Sequence, residues 1–568
     1  MSRRATGIEF AVAASLAAGA LLALKGSSYQ LQLATDIAMF VTLSYSWNLI
    51  SGFTGYISFG HVAFFGFGAY TASLLIIHGD VNWLLASVIA ALAAGVLAVP
   101  LGLVMLRLRG IYFALGMFGL VHVLFIIGST WNYTGSGLGL TLPPRLATEQ
   151  VYICMLAAAA IAFAFTAYMT RSRFGLRAKA IRDDEEAASA MGVATTRVKT
   201  TAFALSALLP AFVGGLVAWN RSYIDGPSAF DPSLDLQAIL FAMAGGLGTL
   251  WGPLLGSVSL SLVGEQLWAE YPNYQLGLFG VLIVLIVLLL PGGFVSLLNR
   301  FGLLHRPIVM APEHLPAGEP PPKTETNGAG PVLECRGVGV RFGGVQALEG
   351  IDLTVGRGET VCIIGANGAG KTTLFNAITG MVKPSSGEIR FNGDDVGKRT
   401  IHRLARDGLG RTFQIPRPFE SMTVWENILL ASLGGRRSRD AVNQSAWVVR
   451  TLHLESIYLN PVLSLPVGHR RLVELGRALA LQPDIILLDE VMAGMSHEEL
   501  EQVRETIRNM QSYGVAAVAG VEHVIRAIVD LADRIVVLDQ GRWIAEGTPA
   551  DVLKDPAVIS AYLGQELV

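Results

Sequence analysis

The sequence predicts two domains in one chain: a polytopic α-helical membrane domain, followed by an α/β domain built around a phosphate-binding loop. Three observations carry that reading. The first is an uneven spread of charge along 568 residues, too many for one hydrophobic core. Residues 1–300 hold 15 Lys and Arg and 13 Asp and Glu, leaving 58 of the 86 charged residues for the rest. The second is a series of apolar stretches in that charge-poor part, each near the ~20 residues that cross a bilayer as a helix. The third is Gly365-Ala366-Asn367-Gly368-Ala369-Gly370-Lys371-Thr372-Thr373, which follows the apolar run Thr360–Ile364 and precedes the helix-forming Leu374-Phe375-Asn376-Ala377-Ile378.

Two function classes are disfavoured at once. A net charge of −2 and a pI near 6.6 argue against a nucleic-acid partner. Cys154, Cys335 and Cys362 have no metal or redox spacing, which suits a soluble half in reducing cytosol.

The membrane domain spans residues 1–299. A basic start, Arg3-Arg4, precedes an apolar stretch at 8–24; it lacks a small-residue cleavage site and reads as a retained first span. Further spans are expected near 31–50, 57–78, 81–106, 111–130, 151–170, 201–219 and 275–298. With Arg3 and Arg4 inside, alternation places Arg107, Arg109 and the loop 171–199 inside too. That loop holds Arg171, Arg173, Arg177, Lys179, Arg182, Arg197 and Lys199, so alternation and the positive-inside rule agree. The apolar stretch 236–264 is cut by Gly245-Gly246-Leu247-Gly248-Thr249-Leu250-Trp251-Gly252-Pro253. It is expected to form two short helices returning to one side, which keeps the C-terminal half with the cell's nucleotide. Asp225, Asp231, Asp235, Glu265 and Glu270 are then expected to face outward. Eight spans plus the broken pair result. Asp36, Asn48, His61 and His122 sit in apolar surroundings and are candidates for the substrate path. Residues 181–191 read as a short helix with Gly192 as its cap, able to dock on the soluble half.

Residues 300–331 are rich in proline and glycine without apolar periodicity and read as a flexible tether. Residues 332–568 form the second domain. Strand, glycine loop and helix are the context a G-x-x-x-x-G-K-[ST] loop requires. Backbone N–H groups and the helix N-terminus would cradle phosphates, with Gly365, Asn367, Gly368 and Gly370 in the loop. Lys371 would reach the β- and γ-phosphates, with Thr372 and Thr373 beside it and the Thr372 hydroxyl on Mg²⁺. Ile485-Ile486-Leu487-Leu488-Asp489-Glu490 is an apolar strand ending in two carboxylates. Asp489 would support Mg²⁺ and Glu490 would polarise the attacking water.

Four motifs in the first half resemble the permease subunits of branched-chain amino-acid ABC importers. They are Ser58-Phe59-Gly60-His61-Val62-Ala63-Phe64-Phe65-Gly66-Phe67-Gly68-Ala69-Tyr70, Arg107-Leu108-Arg109-Gly110-Ile111-Tyr112-Phe113-Ala114, Phe174-Gly175-Leu176-Arg177-Ala178-Lys179-Ala180-Ile181-Arg182, and Gly245-Gly246-Leu247-Gly248 with Gly252-Pro253. The second half resembles the ATP-binding subunit of the same family, including Gly547-Thr548-Pro549 and Tyr562-Leu563-Gly564. The resemblance implies an α/β P-loop ABC-type ATPase using ATP and Mg²⁺. It assigns a coupling role to 171–199. It makes Gln414, in Arg411-Thr412-Phe413-Gln414, the glutamine that senses Mg²⁺ and faces the coupling helix. By the same resemblance His523 contacts the γ-phosphate and Phe342 stacks on adenine. Implied partners are a second permease and a second ATPase subunit, or a second copy of the chain, with a periplasmic solute-binding protein. The implied place is the bacterial cytoplasmic (inner) membrane, with the ATPase in the cytoplasm.

One motif departs from the family. The signature loop, often Leu-Ser-Gly-Gly-Gln, is here Leu465-Pro466-Val467-Gly468-His469, and Val491 and Ser496 are also unusual after Glu490. Proline suits the first position of a helix but offers a phosphate neither a hydroxyl nor an N–H. The expected activity is ATP-driven import of branched-chain or other hydrophobic amino acids. The rivals are an exporter, an importer of urea, amides or aromatic acids, and a module that binds nucleotide without turnover.

Overall fold

The computed structural model describes residues 23–568 apart from 144–147, 271–273, 290–291, 302–306, 319–329, 436–439, 490, 493–494, 513–514, 522–530, 553, 557 and 560–568. It divides into two compact units: Met1–Arg182 with Thr196–Pro307, and Asp183–Thr195 with Ile308–Val568.

The first unit is helical. Among the described residues, Val62–Gly79, Trp83–Met105, Ile111–Thr130, Thr148–Arg171 and Thr195–Arg221 are long and apolar enough to cross a membrane. Their burial differs in a telling way. Trp83–Met105 and Ile111–Thr130 leave Leu92, Val96, Val104 and Leu115 exposed, whereas Val62–Gly79 and Thr195–Arg221 are mostly enclosed. A lipid-facing rim around a protein-packed centre gives this pattern. Glycines let the two central helices meet. A Cβ on Gly68 would fall 2.1 Å from the Ala211 carbonyl oxygen, and one on Gly214 would fall 2.0 Å from that of Phe65. Small residues at such crossings are how membrane helices approach closely.

The other predicted spans take different forms. The stretch 8–24 lies, but for its last two residues, outside the described residues. The stretch 31–50 is the helix Ser28–Trp47, continued by a π-helical turn at Asn48–Gly52. The stretch 236–264 is a hairpin of Pro232–Gly245 and Gly252–Glu270, packed so tightly that a Cβ on Gly245 would lie 1.7 Å from the Gly252 carbonyl. In the last span the described helices are Gln275–Leu289 and Gly293–Arg300, with Gly293 at φ +65°.

Polar groups inside this unit hold its breaks together. Asn48 Oδ1 accepts from the Gly248 amide at 2.8 Å, and the Gly52 carbonyl accepts from Arg182 Nη1 at 2.8 Å. His61 lies between the hydroxyls of Ser58 and Ser206, at 3.0 and 3.1 Å. His122 is exposed, and Asp36 meets Gln32. Asp235, expected on the outer side, meets protein rather than water. It is buried, and its Oδ1 accepts from the Val62 amide at 3.0 Å, satisfying a donor at the start of the Val62–Gly79 helix.

Among its described residues the second unit holds two sheets. The six-stranded one runs Arg542–Gly547, Arg534–Asp539, Thr360–Ile364, Ala516–Val521, Ile485–Asp489, Leu409–Arg411, parallel except for the first pair. The antiparallel one contains Val345–Val355, Leu333–Phe342, Ser386–Phe391 and Asp394–Asp395. Helices Val424–Gly434, Ala441–Thr451 and Val467–Ala480 form a separate cluster.

Two segments differ from the sequence reading. Of the expected tether, 308–318 belongs to this unit, with Val309 buried between Trp425 and Glu426. The Trp425 indole donates to the Val309 carbonyl at 3.2 Å, and Arg450 donates to the carbonyls of Leu315 and Pro316. Proline-rich chain needs no periodicity to dock, because its carbonyls remain free to accept. The expected helix 181–191 is also interrupted. Arg173–Asp183 ends, Asp184 takes an extended conformation, and its carboxylate caps a second helix, Glu185–Ala190.

Candidate nucleotide site

Strand register places the site. Ile363 and Asp489 are each paired with Gly520 of the strand between them. Their strands therefore end level, two strand spacings or roughly 10 Å apart. The carboxyl edge of a parallel sheet is where such folds bind ligands. Beyond Ile364 the loop turns through Gly368 at φ +83° and Gly370 at φ +106° into the helix Lys371–Ile378. Those two angles require glycine, and Gly365 is needed for contact, since a Cβ there would lie 2.3 Å from the Leu538 carbonyl.

Lys371 is buried and folds back over the loop, donating to the carbonyls of Gly365 at 2.6 Å and Ala366 at 3.1 Å. Its ammonium is thus held over the cradle. Thr372 and Thr373 are half-buried in the first turn, and Asn367 is exposed at the loop's tip. Asp489 is buried, and its amide donates to the Thr412 hydroxyl at 3.0 Å. Phe342 ends its strand with its ring exposed; the partner strand's Leu348 packs where Gly370 has no side chain. Gln414 is exposed just beyond the strand Leu409–Arg411. Glu490 and His523 lie outside the described residues.

The loop after Gln414 is fixed from two sides. Helix Val467–Ala480 supplies Glu474, whose Oε1 accepts from the Phe413 amide at 2.7 Å. It also supplies Arg477, whose Nη1 donates to the Arg417 carbonyl and whose guanidinium lies 4.2 Å from the Phe419 ring centre. Burial raises the Glu474 pKa to about 7 and lowers that of Arg477 to about 10, each partly offset by the other. On the far side, Arg417 meets Asp184 at 3.5 Å and Glu186 at 3.4 Å, while the Ser421 amide donates to Asp183 at 2.9 Å. Arg406 donates to the Gly192 carbonyl at 2.8 Å, and Gly192, at φ +78°, packs on the Gly434 backbone.

Sequence reading passed over Arg411, Arg417, Glu474 and Arg477. For the last two a signal existed: opposite charges at i, i+3 on the apolar face of the helix that follows the signature loop. Arg417 becomes visible only once Asp184 and Glu186 are folded beside it.

Comparison with known proteins yields matches across both units. Residues 29–287 match the permease component of the branched-chain amino acid transport system. Residues 348–493 match the ABC transporter family, and 544–568 match the branched-chain amino acid ATP-binding cassette transporter. A similar protein is the high-affinity branched-chain amino acid transport ATP-binding protein BraF of Pseudomonas aeruginosa. The two are 36% identical over 251 residues, which is 41% of this chain and 98% of the relative. LivG of Escherichia coli, of the same description, is 34% identical over 252 residues, again 41% of this chain and 98% of its own. A solved nucleotide-free ATP-binding cassette from an ABC transporter is 29% identical, with a TM-score of 0.39. It covers 41% of this chain and all of its own.

Proposed function

We propose, for a chain that belongs to the branched-chain amino-acid ABC transporter family, ATP-driven import of branched-chain or other hydrophobic amino acids. The chain is a permease fused to a transport ATPase. We divide its work at residues 1–299 for translocation and 332–568 for ATP, joined by 300–331. The observation that carries the reading is the segment Asp183–Thr195. In sequence it joins the helix Arg173–Asp183 to the membrane helix Thr195–Arg221, yet it belongs to the ATPase unit and is bonded to the loop after Gln414. A change at the nucleotide therefore reaches membrane helices through one covalent segment.

In the proposed cycle, backbone amides of Gly365–Gly370 and the helix N-terminus hold the phosphates. Lys371 exchanges its two carbonyl partners for phosphate oxygens, and Phe342 stacks on the base. Mg²⁺ fits the donors present: the Thr372 hydroxyl, the Asp489 carboxylate and the Gln414 amide oxygen are hard oxygen ligands of the kind it takes alongside water and phosphate. Bound there, it would neutralise charge on the phosphates. Glu490 orients and deprotonates the attacking water, and His523 contacts the γ-phosphate. Gln414 moves with the site and carries the Arg417 loop with it. Two ATPase subunits closing and reopening drive alternating access, a solute-binding protein delivers the substrate, and the complex sits in the cytoplasmic membrane.

Reconstitution with its partner subunits and binding protein tests this. ATP inside the vesicles' cytoplasmic-equivalent face should drive uptake of labelled leucine, isoleucine or valine. Uptake of urea, amides or aromatic acids instead would replace the substrate, and transport in the opposite direction would make it an exporter. Topology has its own check. Cysteines at 225–231 and at 265–270 should react from the same, outer face, and a reporter after Asn299 should read cytoplasmic. Labelling from opposite faces would overturn the broken-pair arrangement of 236–264.

A further inference from the structure

The helix Val424–Gly434 of the ATPase half is held at both of its ends. At the start, its carboxylate Glu426 caps it through Oε2, which accepts from the Thr423 amide at 3.1 Å. The other oxygen, Oε1, accepts from the amide of Val309 at 3.3 Å, and the Trp425 indole donates to the Val309 carbonyl at 3.2 Å. Val309, Trp425 and Glu426 are all buried. The chain from 308 to 318 then continues along the neighbouring helix Ala441–Thr451. Arg450 donates to the carbonyls of Pro316 at 3.0 Å and Leu315 at 3.1 Å. Gly318, at φ +70°, comes so close that a Cβ would lie 2.5 Å from the Trp447 nitrogen, a place only glycine fits. At the far end of Val424–Gly434 sits the segment Asp183–Thr195. A Cβ on Gly434 would lie 2.0 Å from the Met191 carbonyl oxygen.

Both gripping segments are continuous with helices of the membrane half. One joins Arg173–Asp183 to Thr195–Arg221, and the other follows Gly293–Arg300. We propose that 308–318 is a second coupling strap, which together with Asp183–Thr195 ties the helix Val424–Gly434 to two places in the membrane half. The inference rests on the transport reading above. Nine residues separate Trp425 from Gly434, so at 1.5 Å per residue the two grips lie roughly 14 Å apart. A single grip would let the helix swivel about it. Two grips fix its direction, so any rotation pulls on both covalent links. All eleven residues of the helix are buried, and Ile428 packs where Gly476 of Val467–Ala480 has no side chain. Motion of the helix behind the altered signature loop is therefore passed on through packed side chains.

The test severs the full chain on either side of the strap, after assembly with its partner subunits in vesicles. A protease site at 303–305 cuts between the membrane helices and the strap. One at 323–326 cuts beyond the strap and leaves it continuous with the membrane half. The second cut should leave ATP-driven uptake as in the uncut complex. The first should lower uptake about fivefold at unchanged ATP turnover, the low end for coupling between distant sites. Association of the two halves of the chain alone, in detergent, gives a readout without transport. Salt weakens the exposed Arg417 pairs far more than a buried anchor at Val309. At high salt the halves cut at 323–326 should stay together, and those cut at 303–305 should separate. Val309→Asp sets a charge against Glu426 and changes no residue of 332–568. In the intact chain it should lower uptake as the first cut does, and it decides if the site at 303–305 resists cleavage. Equal uptake after the two cuts, or normal uptake in Val309→Asp, would overturn the proposal whatever the salt resistance. No ATP-driven uptake by the uncut complex would instead refute the transport reading.

Discussion

Reversing Arg417 to glutamate should abolish most transport while leaving ATP binding intact. Arg417 faces Asp184 and Glu186 at 3.5 and 3.4 Å, with its side chain 42% exposed. Exposed pairs contribute only about 0.5 kcal/mol each, so neither holds the fold together. Charge reversal turns two attractions into two repulsions, a swing of roughly 2 kcal/mol at low salt. At about 1.4 kcal/mol per decade, the docked population falls some 30-fold. Nucleotide binding should survive, because Lys371 is held at the cradle by the Gly365 and Ala366 carbonyls. Combining Arg417→Glu with Asp184→Lys and Glu186→Lys restores attraction and should recover transport. Asp184 also caps Glu185–Ala190 through two amides, so recovery will be partial with lysine there. The measurements are nucleotide affinity, ATP turnover and uptake for single and triple variants. High salt should weaken the defect of the single variant, since these charges are open to solvent. Loss of ATP binding in Arg417→Glu, or no recovery in the triple variant, would rule out an electrostatic dock.

The parts of the chain readable from sequence are those whose chemistry is written in contiguous residues. The P-loop is one: a strand, three glycines at fixed spacing and a lysine fix a backbone cradle locally, and Thr360–Ile364 and Lys371–Ile378 stand where that spacing puts them. The run Ile485–Asp489 is readable for the same reason. What sequence hid depends on distant partners. Asp235 reads as an outward acid near a span end, but its partner is a backbone amide 173 residues away. Arg411 reads as part of a motif, yet its contacts with Asn376 and Asp489 arise only when two strands and a helix meet. The tether shows a third kind of gap. Proline excludes helix and interior strand from 300–331, and nothing in that exclusion predicts that Val309 will be buried against Trp425. Glu490 and His523 remain proposals from motif alone.

Glu490→Gln in this chain should abolish transport, whereas the matching change in a partner ATPase subunit should be tolerated. In the assembly proposed above, each site would join one subunit's P-loop to the other's signature loop. This chain brings an intact P-loop but an altered signature. Pro466 stands as N-cap of Val467–Ala480 and makes no side-chain capping bond. A serine there would give a hydrogen bond to a charged phosphate, worth roughly 1.5–3 kcal/mol. Losing it slows the site that uses this signature by about 10- to 150-fold. The structure adds a second handicap. The Glu499 carboxylate crowds Gly468, where a Cβ would lie 2.1 Å from it, and meets His469 at 3.4 Å. A helix N-terminus that should greet an anion already has one beside it, whose other oxygen accepts from the Ser496 amide and hydroxyl at 2.8 and 3.0 Å. The chain alone should therefore hydrolyse ATP poorly, because a self-paired dimer contains two such sites. Adding a partner with an ordinary signature should raise turnover at least tenfold, all of it at this chain's P-loop. Glu499→Gln should recover part of the self-paired activity by removing the competing charge, and Pro466→Ser should recover more. Equal losses from the two glutamate changes, or full activity without a partner, would show that both sites work alike.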